Sequence, residues 1–377
     1  MHQTRSKHIL HIIPSFAHGG VPIRICYLIN HFGNRARHSL IAMDGRYDCR
    51  TRLRQDVEFN VPSLPHRAKG SLPLKILAYR DMLKRLQPDL LLTYNWGAMD
   101  WALANSCFNL CPQYHLESGF GPEEARQTLF KRDLYRRLAL RRIKGIVVPS
   151  FTLVEICRTR WHIPDAKIHH IPNGVDCDKY GAAPADNIIP GLNREKQDIV
   201  IGTMTPLRPE KNLPRLIRCF HTLRQKHPRL PLRLVILGEG GERARLEQLI
   251  AQLGLKTAVL LPGHIDTPAQ ALGWFDIYAI SSDTEQMPNA VNQAMAAGLP
   301  VAGLAVGDVL PMVSDANKPF IAPRDDEDSF THALEALALN QKIRHKVGAA
   351  NQIHVRQTYD QSVMYKAYAE IWGLDLE

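Results

Sequence analysis

The chain has 377 residues, 45% of them hydrophobic and 22% charged, the balance of a soluble globular protein. That length exceeds one ordinary core and implies two domains, and no run approaches the roughly 18 apolar residues of a membrane span. Lysine and arginine outnumber the acids 47 to 37, a net charge of +10, which favours an anionic partner such as a nucleotide, a nucleic acid or an acidic lipid surface.

The N-terminal "HILHIIPSF" (8–16) is too short and too broken by His11 and Pro14 for a signal peptide, and it reads as a first β-strand. "AHGGVPIRICYLINHFG" (17–33) is a Gly-Gly loop entering a helix. Strand "HSLIAMD" (38–44), helix 72–87 stopped by Pro88, and strand "DLLLTYN" (89–95) follow. Helix 99–110, strand "PQYHLES" (112–118) and a long basic helix begun by Pro122 (122–143) come next, with Glu123 and Glu124 complementing the dipole in its first turn. Strand 144–150, helix 151–161 and a strand into a turn, 167–176, complete the first half. Strand-helix alternation at this spacing predicts a parallel sheet with helices on both faces. A Pro-, Gly- and Ala-rich stretch follows, and the interdomain linker is placed at 181–197. The alternation restarts at "IVIGTM" (199–204) and runs through 300–303, and "YDQSVMYKAYAEIWGL" (359–374) reads as a C-terminal helix able to cross back. The expected architecture is α/β: two Rossmann-like domains facing a central cleft. The first spans 1–180 and is completed by the helix 358–377, and the second spans 198–357.

Seven scattered cysteines, an odd number, point to reduced thiols, and the seventeen histidines form no metal-ligand motif. No metal is expected.

Ligands of doubly wound sheets sit where strands hand over to helices. Four such loops suit an anion. "AHGGVP" (17–22) offers Gly19 and Gly20 for close backbone approach, or is simply a tight turn. "TPLRPEKN" (205–212) sets Arg208 and Lys211 at a helix start, either converging on an anion or as solvated charges. "LGEGGER" (237–243) is a glycine-rich turn containing Gly238 and Glu239. The fourth is "SSDTEQMPNAVNQAMAAGLPVAG" (281–303). There Pro288 suits the first helical position, leaving the N–H groups of Asn289, Ala290 and Val291 free for a phosphate. Glu285 lies just outside that helix, able to reach hydroxyls on a group attached to the phosphate, or else it only complements the dipole. Gln293, one turn in, reaches the other side of the same ligand. A nucleoside diphosphate joined to a sugar fits this layout.

These segments, with "IPNGVD" (171–176), resemble the retaining glycosyltransferases of family 4, of the GT-B fold, over nearly the whole chain. The resemblance implies a metal-independent hexosyltransferase needing no cofactor beyond a nucleotide-sugar donor. It implies that Glu285 touches the donor sugar and that Gln293, where the family has a second glutamate, faces the ribose. Gly19, Gly20, Arg208, Lys211, Gly238, Glu239, Met287, Pro288, Asn289 and Ala290 would complete the donor site. Pro206 stands where the family has an arginine, and Arg208 is the candidate replacement. Ser118 stands where the first domain usually offers a histidine near the reacting sugar; Glu117 is a candidate to take over that polar role, and His115 either turns back toward the cleft or is a satisfied strand histidine. With Glu285 and Lys211, these two make up the catalytic candidates.

The segment 129–145 carries seven Lys or Arg and one Asp. Phe130, Leu134 and Leu138 form one stripe, bordered by Arg137 and Arg141. It is either a packed helix with a solvated basic face or a contact for anionic lipid headgroups. Nucleic acid is excluded as a partner, since no aromatics interleave the basic residues and no binding module is present. The expected function is transfer of a sugar to a lipid-linked or glycan acceptor in cell-envelope glycolipid or polysaccharide synthesis. The expected location is cytoplasmic, peripheral on the inner face of the plasma membrane. The alternative is a catalytically silent GT-B scaffold subunit, which Pro206, Ser118 and Gln293 favour.

Overall fold

The computed structural model describes residues 6–120 and 129–375. Pro122, Glu123 and Glu124, and with them the expected start of the basic helix, lie outside the described residues. The chain divides into two compact units, Met1–Pro172 with Met364–Glu377, and Asn173–Val363.

The first unit is built on seven parallel strands in the order β3-β2-β1-β4-β5-β6-β7. They are β1 (Lys7–Ile13), β2 (Ala36–Ala42), β3 (Phe59–Asn60), β4 (Leu90–Tyr94), β5 (Gln113–Leu116), β6 (Gly145–Val148) and β7 (Ile168–His170). Every residue of β1 after Lys7 and every residue of β4 is buried, as expected for strands covered by helices on both faces. The C-terminal helix Gln361–Trp372 returns to this unit from Met364 onward. Trp372 is fully buried there, its ring 5.1 Å from Phe32 and 5.7 Å from both His11 and His38.

The second unit holds six parallel strands in the order β10-β9-β8-β11-β12-β13. These are β8 (Ile199–Met204), β9 (Leu232–Leu237), β10 (Val259–Gly263), β11 (Ile277–Ile280), β12 (Val301–Leu304) and β13 (Ile321–Ala322). The sequential order reverses between β8 and β11, which pair directly (Ile201 opposite Ile277). A reversal of this kind opens a crevice at the carboxyl ends of the two strands. It brings the loops 205–212 and 281–288 side by side.

Two boundaries differ from those expected. The first unit ends at Pro172, not 180, because Val175, Cys177 and Tyr180 join the second core. The stretch 181–197 is no free linker: Ile189 is in that same core, Trp274 donates to the Ala185 carbonyl at 2.8 Å, and Arg194 grips Asp276 at 2.9 Å. Composition reads such a segment as loose because its few apolar residues have no periodicity.

Candidate functional site

In the second unit, Lys211 closes a short 3₁₀ turn, Pro209–Lys211, and Asn212 follows in the left-handed region (φ 41°). Asn212 then caps the helix Leu213–Lys226 through its side chain, so the helix starts beyond Lys211. The Asn212 amide also donates to Asp283 at 2.9 Å, Ser281 Oγ donates to the Lys211 carbonyl at 3.0 Å, and the Asp283 N–H donates to the Glu210 carbonyl at 2.9 Å. These bonds sew the two loops together.

On that frame Lys211 Nζ lies 2.6 Å from Glu285 Oε1, and Ser282 Oγ donates to the same oxygen at 2.7 Å. Both members of the pair are mostly covered, with side chains 19% and 11% exposed. Among the described residues Glu285 Oε2 has no hydrogen-bond donor. One carboxylate oxygen is held from two sides and the other is unpaired among them. Arg208 does not join Lys211; its side chain is 65% exposed and stands 4.0 Å from Glu210.

Pro288 is the N-cap of the helix Asn289–Ala296, not its first residue. The Val291 N–H is consequently taken by the Pro288 carbonyl at 3.0 Å, so two of the three expected donors, those of Asn289 and Ala290, have no acceptor among the described residues. Gln293 is half-buried, and its side-chain amide has no partner among them either. Met287 turns into the core, where its sulfur accepts the Asn173 N–H at 3.2 Å. It supports the backbone at Asn173.

Gly238 has φ 141°, and a Cβ there would sit 2.0 Å from the Thr205 carbonyl oxygen. Glycine lets this loop lie against 205–207, where Leu207 N–H meets the Glu239 carbonyl at 2.9 Å. The Glu239 side chain is engaged with Arg243 at 2.6 Å, and this hydrogen bond holds its carboxyl below the usual range.

Two supports were not legible as site residues. Gly307 (φ 53°) sits against the Glu285 backbone, where a Cβ would approach its carbonyl oxygen to 2.3 Å. Arg215, buried in the first turn of its helix, donates to Asp283 at 2.8 Å and the Ser281 carbonyl at 3.1 Å, and pairs with Glu327 at 3.3 Å. The only sequence signal for Arg215 is a basic residue in the buried stripe of an amphipathic helix.

In the first unit Gly19 is extended (φ 175°) and ends the loop into the helix Gly20–Phe32, leaving the Gly20 and Val21 N–H groups without acceptors among the described residues. His115 and Glu117 are corrected: both are fully buried. The His115 ring shares a 2.9 Å bond with Thr93 Oγ1 and lies 3.7 Å from Glu117, which is itself 3.7 Å from Arg136. Leu116 between them is equally buried on the other face of the sheet, so both faces are covered here and neither His115 nor Glu117 reaches solvent. Ser118 instead receives Arg24 Nη2 at 2.7 Å, and its N–H donates to Asn95 at 2.9 Å.

A Glycosyltransferase Family 4 model matches residues 18–179, and a Glycosyl transferases group 1 model matches 185–354. The chain belongs to this glycosyltransferase family. Among curated relatives of this family 4 chain is the lipopolysaccharide core biosynthesis glycosyltransferase LpsE of Rhizobium meliloti, 25% identical over 40% of this chain and 45% of that protein. The phosphatidyl-myo-inositol mannosyltransferase of Mycobacterium leprae is 30% identical over 52% and 50%. The chain thus spans about half the length of the curated relatives it matches. Among solved structures, Anabaena Alr3699/HepE in complex with UDP and glucose superposes with a TM-score of 0.78 at 17% identity, covering 97% of this chain and 99% of that one. WaaG, a glycosyltransferase involved in lipopolysaccharide biosynthesis, gives 0.70 at 15% identity, covering 96% and 99%. The fold of this glycosyltransferase-family chain is therefore GT-B, two parallel-sheet Rossmann-like domains.

Proposed function

We propose that the protein transfers a hexose from a nucleotide-sugar donor to a lipid-linked or glycan acceptor with retention at the anomeric carbon. The observation that carries this reading is the Lys211–Glu285–Ser282 arrangement, with one carboxylate oxygen fixed and the other without a donor among the described residues, on a loop that runs into a helix with two unused N–H groups. On this reading Glu285 Oε2 accepts donor sugar hydroxyls, and Lys211 with the Asn289 and Ala290 N–H groups takes up charge on the departing diphosphate. Departure is assisted electrostatically, without a metal, so chelator leaves turnover unchanged. No carboxylate is assigned as a nucleophile, and the acceptor attacks from the face the diphosphate leaves.

The names of the relatives, which include a lipopolysaccharide core biosynthesis glycosyltransferase and a phosphatidyl-myo-inositol mannosyltransferase, support a lipid-linked acceptor in envelope synthesis, and the site of action on this reading is the cytoplasmic face of the membrane. No helix among the described residues is long and apolar enough to cross a membrane. The test is donor hydrolysis without acceptor, read by nucleoside diphosphate release and by NMR of the freed sugar. Slow release with the donor's anomeric configuration is expected. Absence of release from every donor tried, together with nucleotide binding, would instead identify a scaffold subunit.

Two substitutions separate the roles. Lys211→Ala weakens nucleoside diphosphate binding by about 1.5–3 kcal/mol, as for a hydrogen bond to a charged group, and calorimetry giving wild-type affinity would remove Lys211 from the site. Gln293→Ala raises the donor KM by roughly 2- to 12-fold with kcat little changed, because a neutral amide on a ribose hydroxyl is worth about 0.5–1.5 kcal/mol in ground and transition state alike. Gln293→Glu is tolerated. Loss of kcat in either Gln293 variant contradicts this assignment.

A further inference from the structure

The helix Phe130–Leu140 is inside out. Its inward face carries Asp133 and Arg136, both buried, while Phe130, Leu134 and Leu138 are 69%, 55% and 48% exposed. An ordinary surface helix has the reverse arrangement. The orientation is fixed from within: Asp133 accepts from Arg160 at 3.0 Å and from the Trp161 indole at 2.9 Å, and the Arg136 guanidinium lies 4.9 Å and 4.7 Å from the rings of Trp96 and Trp161. Rotating the helix to hide the apolar row would break all of these contacts. The apolar residues, four apart, therefore stand in one outward row. Lys131 lies beside its first member, and Arg141 and Lys144 lie beyond its last; all three are exposed and have no carboxylate partner among the described residues. Asp133, the one acid of the described helix, points the other way. Of the two sequence readings, a packed helix with a solvated basic face and a contact for anionic lipid headgroups, the outward apolar row departs from the first.

We propose that this face docks the protein on an anionic lipid bilayer. Phe130, Leu134 and Leu138 enter the boundary between headgroups and acyl chains, and Lys131, Arg141 and Lys144 meet lipid phosphates. The proposal rests on the reading that the acceptor is lipid-linked, and it names the surface that meets the lipid. Charge decides the occupant. A two-fold contact with a second copy would set these unpaired cations against their own images, whereas an acidic headgroup layer neutralises them.

The test is co-sedimentation of the full chain with vesicles of phosphatidylcholine, alone or mixed with phosphatidylglycerol. Binding is expected only to the mixed vesicles and falls with salt. Combined Phe130→Ser, Leu134→Ser and Leu138→Ser lowers partitioning by about ten-fold or more, and Lys131→Gln and Arg141→Gln lower it by roughly five-fold each. All five positions are exposed, so the melting temperature and its rise with nucleotide should persist in every variant. Wild-type partitioning by the triple variant overturns the proposal, as does a dimer that the triple variant converts to monomer. Loss of vesicle binding with the nucleotide response intact supports it, and a wild-type protein that binds vesicles but no nucleotide defeats the donor reading alone.

Discussion

Glu285→Gln lowers kcat for sugar transfer by about ten-fold or more while leaving the donor KM within a few-fold. The carboxylate is bound on one side only: Lys211 and Ser282 both hold Oε1, which aims Oε2 without occupying it. An amide keeps the shape of the group. It loses the charge that orders Lys211, and it presents a donor where two sugar hydroxyls must donate. On the proposed reading the contact tightens as the sugar–phosphate bond breaks, so the loss appears in kcat. Ser282→Ala removes one support and has a smaller effect. Steady-state kinetics decide the matter: a Glu285→Gln enzyme with full turnover and a failing Gln293→Ala enzyme would mean the two roles are reversed.

Acid weakens the first unit steeply between pH 6.5 and 4.5. His11, on β1, shares a 3.0 Å bond with His38 of β2 and another with the Tyr94 hydroxyl, and His8 meets Ser39 at 2.9 Å nearby. Burial is the largest cause of the low pKa values of this pair, each lowered further by neighbouring histidine, with His38 down to about 3 and His11 well below its ordinary value. Both are neutral in the fold and take up a proton only when the chain unfolds. Stability is therefore full above the unfolded pKa of about 6.5 and is lost as pH falls through that value toward about 3. At pH 4.5 His38 alone costs about 2–3 kcal/mol, a large share of a typical domain's stability, and His11 adds to it with the same sign. Urea unfolding at pH 7.5 and 4.5 reads the effect. A His38→Asn variant retains about 2–3 kcal/mol more of its pH 7.5 stability at pH 4.5 than wild type does, and an unchanged pH dependence in that variant would show that the pair takes no part.

Much of this was legible because parallel sheets advertise themselves. Buried runs such as "HILHII" and "VILG", each followed by a glycine- or proline-marked helix start, give the alternation and hence the doubly wound class. The site was legible as loops, since the strand-order reversal between β8 and β11 has to bring 205–212 and 281–288 together in such a sheet. What could not be read was direction and partnership. His115 and Glu117 are covered because the sheet is packed on both faces, whereas Ser118 lies past the end of β5 and is half-buried. Arg208 and Lys211 look alike in sequence, but Lys211 meets a mostly covered carboxylate at 2.6 Å while Arg208 stands exposed, 4.0 Å from Glu210. Pro288 fits either the cap or the first helical position, and the difference of one residue uses up one N–H donor. Gly307 and Arg215 act from a distance in sequence, bracing Glu285 and Asp283, and nothing local marks them. The helix Phe130–Leu140 stayed open between two readings, because its apolar period is clear and only tertiary partners for Asp133 and Arg136 show which face is in.

The central claim is that the loops around Lys211 and Glu285 hold a nucleotide-sugar. A thermal-shift panel of UDP-, GDP- and ADP-sugars on wild type and Lys211→Ala tests it most directly, since bound ligand stabilises as RT ln(1 + [L]/Kd). One nucleotide family should raise the wild-type melting temperature in a concentration-dependent way, with the response much reduced in Lys211→Ala. A flat response to every donor, or an equal response in both proteins, would contradict it.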